Sequence, residues 1–313
     1  MNNDNQQVKK DFFVNECREL TERNEQAVQK RSADVDDRGD GRRHVVLACM
    51  DERCTNTEEA LGLQSSAVRR IATGGGKISP EDFMSLLGLT AGPLAGKGDT
   101  LYLSTHEVIG RPELGCAAFK NDIAAQERFF LDLKAKLTPS LPEAFIHVLS
   151  MDTSTSELRV ISPDERDTRF TDLVARGGQP HPRLADEAHA GYGIYVGEAY
   201  RAWSAARNAY FHISASAPSL AGDLDIAIGV ILHHSTVDLS DKTIVLQIDE
   251  PTSWNGFPAG AAERLSSTIE SFLAKPDVAE LLANGTIRIV RTTTDLDTHE
   301  GKVIQSEKLV EMA

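Results

Sequence analysis

Four apolar residues, Val45, Val46, Leu47 and Ala48, stand side by side, and the runs Thr100–Thr105 and Phe145–Leu149 have the same texture. Unbroken aliphatic runs of this length predict strands covered on both faces, as in a parallel sheet wrapped by helices. Between them the period changes. Leu114, Ala118, Ile123, Phe129, Phe130 and Leu133 recur at helical spacing and predict a helix over Leu114–Leu137. Ser79, Pro80, Glu81 and Asp82 supply an N-cap, a first-turn proline and two acids ahead of a helix ending near Leu89, with Gly74, Gly75 and Gly76 marking a loop before it. At the start of the chain a thin stripe of Phe12, Phe13, Cys17, Leu20 and Ala27 among charges predicts an amphipathic helix from Val8 to about Gln29, and the polar stretch Asp34–Arg43 follows. Helix, strand, helix, strand, helix, strand is the order of an α/β fold with a mostly parallel central sheet flanked by helices.

The order then repeats. From about Asp186 the pattern predicts a helix through Tyr200 and Trp203, a strand Tyr210–Ser214, a helix Leu224–His233, a strand Thr243–Ile248, a helix from about Ala259 and a strand Thr286–Val290. Thr100–Glu107 matches Thr243–Glu250 at a constant offset of 143, and Ile146–Leu149 resembles Ile287–Val290 at a slightly different one. We read a diverged internal duplication with halves 1–184 and 185–313, against the alternative of a chance recurrence of α/β alternation.

Composition narrows the function. The chain has 313 residues, with 33 Lys plus Arg against 47 Asp plus Glu, a net charge of −14. That is the wrong sign for wrapping DNA or an anionic lipid surface, so no nucleic-acid or membrane partner is expected. No stretch nears the ~20 apolar residues of a membrane span, and the first residues lack the apolar run of a secretory signal, so a cytoplasmic location is expected. In that compartment Cys17, Cys49, Cys54 and Cys116 read as free or metal-bound rather than disulfide-linked.

The candidate chemistry sits at strand ends. Cys49-Met50-Asp51-Glu52-Arg53 follows the first strand directly, and a continued extended chain would put Cys49, Asp51 and Arg53 on one side. His106 follows the next strand, and Cys116 comes ten residues later. Neighbouring parallel strands end at one edge of a sheet, where open α/β sheets place their sites. Two thiolates and one imidazole suit a zinc-like ion, and three protein ligands leave a fourth position for water, the arrangement of a catalytic site; Cys54 is the alternative fourth ligand, which would make the site structural. A carboxylate at Asp51 would accept the hydrogen bond of a metal-bound hydroxide, and Arg53 would keep it ionised and away from the metal.

Cys49-x-Asp51-x-Arg53 followed by a histidine and a second cysteine resembles the metal centre of the β-type carbonic anhydrases, and Ala60–Leu63 and Gly74-Gly75 are similar to the stretch those enzymes have after the first ligand. Most β-class enzymes place two residues between the histidine and the cysteine, whereas nine separate His106 from Cys116. The longer gap resembles the carboxysome shell carbonic anhydrases and, more closely, the ζ-class (cadmium) repeats of diatoms, where it is embedded in Leu-Gly-Cys-x-x-Phe-Lys; here that reads Leu114-Gly115-Cys116-Ala117-Ala118-Phe119-Lys120. The resemblance covers Val45–Ile161. It implies a carbonic anhydrase, a lyase that reversibly hydrates carbon dioxide to bicarbonate with a metal-bound hydroxide, on zinc or alternatively cadmium or cobalt. It further implies a single-chain pseudo-dimer of two β-carbonic-anhydrase-like halves, the second without metal: Asp249 and Ala259 stand where the offset puts the counterparts of His106 and Cys116, and Ala215 where that of Cys49 would fall. The Arg-Asn-Ala-Gly-Gly of the β class keeps only its glycines in Ile71-Ala72-Thr73-Gly74-Gly75.

Two other functions fit the same residues: hydrolysis of carbon disulfide or carbonyl sulfide, which uses similar machinery, and a non-catalytic scaffold in which the ion only staples the sheet. Gly74-Gly75-Gly76-Lys77 fails the phosphate-loop pattern and reads as a tight turn. Ser150-Met151-Asp152 echoes Cys49-Met50-Asp51 but follows a strand that needs no ligand. His233 and His234 read as solvated residues at a helix end, and Phe119, Phe145 and Trp203 as core.

Overall fold

A computed structural model describes residues 3–35, 43–63, 68–90, 99–161, 189–204, 209–255, 257 and 259–306. The expected boundary at 184/185, the helix start at Asp186 and most of the Asp34–Arg43 stretch lie outside these residues. The chain divides into two compact units, Asp34–Ala188 and, together, Met1–Ala33 with His189–Ala313. The N-terminal helix therefore groups with the C-terminal strands, where the sequence placed it in the first half, 1–184. Among the described residues no helix is long and apolar enough to cross a membrane.

The first unit holds β1 (His44–Cys49), α2 (Thr57–Ala60), β2 (Val68–Thr73), α3 (Pro80–Thr90), β3 (Thr100–Glu107), α4 (Ile123–Leu137), β4 (Phe145–Asp152) and β5 (Leu158–Val160). Its five-stranded sheet has the order β2-β1-β3-β4-β5, parallel except for the antiparallel β5 edge. The apolar run of β1 is explained by burial on both faces. Val45 and Leu47 pack with Phe83, Leu86 and Leu87 of α3 and Phe130, Leu133 and Leu137 of α4, while Val46 and Ala48 meet Leu61, Leu63, Tyr102 and Leu149. The start of α3 is capped as expected: Ser79 Oγ accepts from Asp82 N at 3.0 Å.

The second unit holds α1 (Asn3–Val35), β6 (Gly193–Val196), α5 (Tyr200–Ser204), β7 (Tyr210–Ile213), α6 (Leu220–His233), β8 (Ile244–Pro251), α7 (Ala261–Leu273), α8 (Pro276–Ala283), β9 (Ile287–Thr294) and β10 (Gly301–Ser306). The order of its sheet, β10-β9-β8-β6-β7, is the first sheet's order read from the other edge, again with one antiparallel edge strand. The stripe Phe13, Cys17 and Leu20 seats α1 against Tyr195, Trp203, Tyr210 and Val290. Asn24 then anchors it, donating to the carbonyls of Ala202 and His299 at 2.9 Å and accepting from Gly301 N.

Several elements differ from expectation. Strand β2 was hidden by the paired charges Arg69 and Arg70. Helix α4 starts at Ile123, not Leu114, because the intervening residues form tight turns that end in left-handed Lys120 (φ 53°) and Asn121 (φ 62°). Of the helix expected from about Asp186, only Tyr200–Ser204, the short α5 that carries Tyr200 and Trp203, is helical, and strand β6 takes the place of its earlier part. Gly193 opens that strand against the Tyr210 ring, where a Cβ would lie 2.5 Å from ring carbons.

Candidate metal centre

Strand β1 pairs in parallel with β3, His44 opposite Thr100 and Leu47 opposite Leu103, so Cys49 and His106 emerge at the same edge of the sheet. Cys116 reaches that edge from the turns before α4, where its carbonyl accepts from Phe119 N and Asn121 N at 3.0 Å. The sulfurs of Cys49 and Cys116 and a ring nitrogen of His106 lie within 4.8 Å of one another. All three side chains are buried, His106 to 1 % exposure.

This donor set fits a soft or borderline cation. Both ring nitrogens of His106 are buried without a hydrogen bond of proper geometry, and a metal ion would satisfy one of them. The Cys49 thiol is pushed well above its ordinary range, first by its hydrogen bond with Cys116 and then by burial. Burial disfavours the charged form of His106, but the neighbouring Cys54 and Cys49 outweigh it and raise the imidazole well above 6.5. Two buried thiols beside an imidazole form the arrangement that a divalent cation would resolve.

The glycine loop has a defined part. Gly75 N–H donates to Cys49 Sγ at 3.2 Å. Its φ of 68° is left-handed, and a Cβ there would lie 2.7 Å from that of Ala118, so only glycine lets the loop close on the Cys116 turn. Lys77 fastens the same contact, donating to the Ala118 carbonyl with its ammonium 4.2 Å from the centroid of the Phe119 ring.

Asp51 and Arg53 form the expected pair by a different route. The strand does not continue: the chain leaves β1 after Cys49, and Asp51 caps a 3-10 turn over Glu52–Cys54. Asp51 Oδ1 accepts from Arg53 N at 2.9 Å and Nε at 3.0 Å, and Oδ2 accepts from Nη2 at 2.7 Å. The guanidinium is 2 % exposed; burial opposes its charge, but Asp51 more than compensates and keeps it protonated. Nη1 of Arg53 donates to the Leu114 carbonyl at 2.9 Å, two residues before Cys116. One side chain thus orients the carboxylate and tethers the turn that brings the third sulfur.

Cys54, the alternative ligand, is buried beside His106 but is not one of the three converging donors. Its backbone is pinned. The Cys54 carbonyl accepts from Thr57 Oγ1 at 2.7 Å and Arg70 Nη2 at 3.1 Å. Arg70 also reaches the Cys49 carbonyl at 3.3 Å, while its Nη1 forks onto both oxygens of Glu58 at 2.9 and 3.0 Å. This buried pair holds both cysteine backbones and was missed in the sequence, where nothing links Glu58 to Arg70.

Elsewhere the side chains set aside are accounted for. Ser150 Oγ donates to Glu107 Oε1 at 2.6 Å, Asp152 Oδ1 accepts from Ser154 N at 2.9 Å, and Trp203 is buried with Nε1 donating to Thr294 Oγ1 at 2.7 Å. His233 and His234 are exposed at the end of α6. One correspondence is corrected. Gly197 N bonds to Ile213 O as Met50 N bonds to Thr73 O, so β6 occupies the place of β1, and Val196, not Ala215, stands where Cys49 does. Asp249 of β8 is buried, its Oδ2 accepting from Tyr195 Oη and its Oδ1 from Thr292 Oγ1 and Thr294 Oγ1, each at 2.7 Å.

Known protein families and curated proteins were compared with the chain, and none matches it.

Proposed function

We propose that the chain is a metal-dependent carbonic anhydrase of the β-like lineage, catalysing the reversible hydration of carbon dioxide to bicarbonate. The observation that carries this reading is the meeting of Cys49, His106 and Cys116 at one strand edge, in the chain segment that also forms the buried Asp51–Arg53 pair. These three residues would hold zinc, or cadmium or cobalt, which accept the same donors. When bound, such an ion supplies the Lewis acidity that generates hydroxide from water near neutral pH, tempered here by two thiolates.

The protein's own part follows from its hydrogen bonds. An ionised carboxylate only accepts, so Asp51 orients a neighbouring O–H by taking its hydrogen bond. The fork from Arg53 fixes the carboxylate in one orientation and would favour its ionised form and hold it off a bound cation. The Gly75 N–H draws charge from the Cys49 sulfur, which preserves the acidity that a thiolate would otherwise quench. The matching strand order of the two sheets supports the reading of the second as a degenerate half of a pseudo-dimer.

A non-catalytic, metal-stapled scaffold is the second reading, favoured by one observation: Cys54 lies beside His106, where a fourth thiolate would close the site. Stopped-flow hydration of carbon dioxide by the zinc-loaded protein separates the two, with carbonyl sulfide and carbon disulfide assayed in parallel. Asp51→Asn should keep its metal and lose about a hundredfold or more in rate. Full metal occupancy with no hydration would reject the enzyme reading, and turnover of the sulfur compounds alone would reassign the substrate.

A further inference from the structure

We propose a ligand site in the unit of the second sheet: a pocket for a phosphate dianion, either free or carried on a small organic molecule, bounded by α1 and the α8–β9 turn. The cavity measures about 290 Å³, near the lower end of small-ligand pockets, ~300–1,000 Å³. Its cations are Lys9 and Arg288, its neutral donors Gln6 and Asn284, and Leu282 and Ile287 add apolar wall.

Among the described residues the two cations have no protein counter-charge. Lys9 is 8 % exposed, yet among the described residues neither it nor Arg288 enters an ion pair. In a chain of net charge −14, carboxylates are abundant, and a lysine this buried is ordinarily paired with one. Arg288 is instead held by uncharged neighbours. Its guanidinium carbon lies 5.9 Å from the centroid of the Phe13 ring, within cation–π range. Gly285, at φ +72°, passes so close that a Cβ would sit 3.2 Å from Nη2. Arg288 Nε is buried with no hydrogen-bond partner, so the fork is positioned with donor capacity unused.

The donor chemistry selects the ligand class. Asn284 Oδ1 already accepts from Thr286 N at 3.0 Å, which leaves its NH2 group to donate to a ligand. An ammonium, a guanidinium and two amide NH2 groups, with no carboxylate among the lining residues, call for an anionic ligand rich in acceptors. A phosphate monoester carries about −1.5 to −2 charge at pH 7, which matches both cations, whereas a single carboxylate neutralises only one. The site lies wholly within one unit and uses none of the candidate metal ligands.

Isothermal titration of the full-length protein with inorganic phosphate and with glycerol 3-phosphate, at low salt, tests the proposal. Saturable binding of one equivalent is expected; tighter binding of the ester assigns an organic phosphate, and equal binding assigns the free ion. Arg288→Gln and Lys9→Met should each weaken binding about tenfold or more, the loss of one charge-assisted hydrogen bond, while His106→Ala leaves it unchanged. No saturable binding of either probe to the unaltered protein overturns the site, whether or not the variants fold. So does an affinity that survives both substitutions or disappears in His106→Ala.

Discussion

Replacing Arg53 with methionine keeps most of the side-chain volume but removes the charge and three side-chain donors that serve Asp51 and Leu114. Asp51, whose side chain is 9 % exposed, then loses both bonds of the guanidinium fork while the backbone N–H of position 53 still donates to it. Breaking a buried ion pair from one side costs about 3–5 kcal/mol, because the remaining charge is left without its partner. At ~2–4 °C per kcal/mol for a domain of this size, the first unit should melt about 10 °C lower. The turn carrying Cys116 also loses its tether at Leu114, so metal affinity should fall about ten- to hundredfold. Differential scanning calorimetry and competition with a chromophoric chelator read the two effects separately. The double variant Asp51→Asn/Arg53→Met removes the stranded charge and should recover stability, with a coupling of about 1–3 kcal/mol, but not the tether or the metal affinity. A single variant melting within about 2 °C of the parent, under 1 kcal/mol by the same conversion, would show that the pair carries no such burden.

Two further outcomes concern particular side chains. Cys54→Ser should leave one metal per chain and an unchanged thiolate-to-metal absorption in the cobalt-substituted protein; loss of either would make Cys54 a ligand and close the site. Glu198 has one buried oxygen without a hydrogen-bond partner, and burial raises its carboxyl to about 7 despite the bond to Oε1 from Ser216 N. A carboxyl whose proton is held more tightly in the folded state stabilises fully below its unfolded value near 4.5, and that contribution is lost as the pH rises through 7. The shift amounts to at most about 3 kcal/mol, so Glu198→Gln should gain up to that much relative to the parent between pH ~5 and ~8 in urea titrations. Parallel pH profiles of the two proteins would place Glu198 in contact with water.

Legibility in the sequence followed burial. Strands β1, β3 and β4 were plain because both faces are covered and each carries an apolar run, with the charged and imidazole side chains few and mostly toward the strand ends. Strand β2 was opaque because Arg70 points into the interior, a placement tolerable only with Glu58, twelve residues earlier, as its partner. The segment before α4 mimics a helix in its spacing, but Leu114 and Ala118 serve the turn that positions Cys116, and the spacing cannot reveal left-handed residues at Lys120 and Asn121. In the second unit the run Ile194-Tyr195-Val196 is too short to separate strand from helix beside Tyr200 and Trp203. Missing that strand shifted the correspondence by one and named Ala215 in place of Val196. Cys49 and His106 were legible because a strand end is a fixed address, and Cys116 because it follows His106 closely enough to return to the same edge; Arg70, held by Glu58, acts through backbone carbonyls, which leave no trace in residue spacing.

The two sheets also bear on what a metal held by Cys49, His106 and Cys116 would do. They share one strand order, yet at the corresponding edge the second ties its strands with neutral donors around a carboxylate: Tyr195 of β6 and Thr292 and Thr294 of β9 all donate to Asp249 of β8. Strands in this order can therefore be fastened by hydrogen bonds alone. The first sheet has fastenings of its own independent of the cation, since Arg70 of β2 grips the carbonyls of Cys49 and Cys54, and Ser150 of β4 binds Glu107 of β3. A structural ion would be redundant there, which favours a chemical use for the donors. The expected result of chelation follows: the metal-free protein should keep its far-UV circular dichroism and a cooperative melt while losing hydration activity, and zinc should restore that activity without refolding. Collapse of the first unit on chelation, as in metal-nucleated small domains, would instead make the ion a staple and remove this support for catalysis.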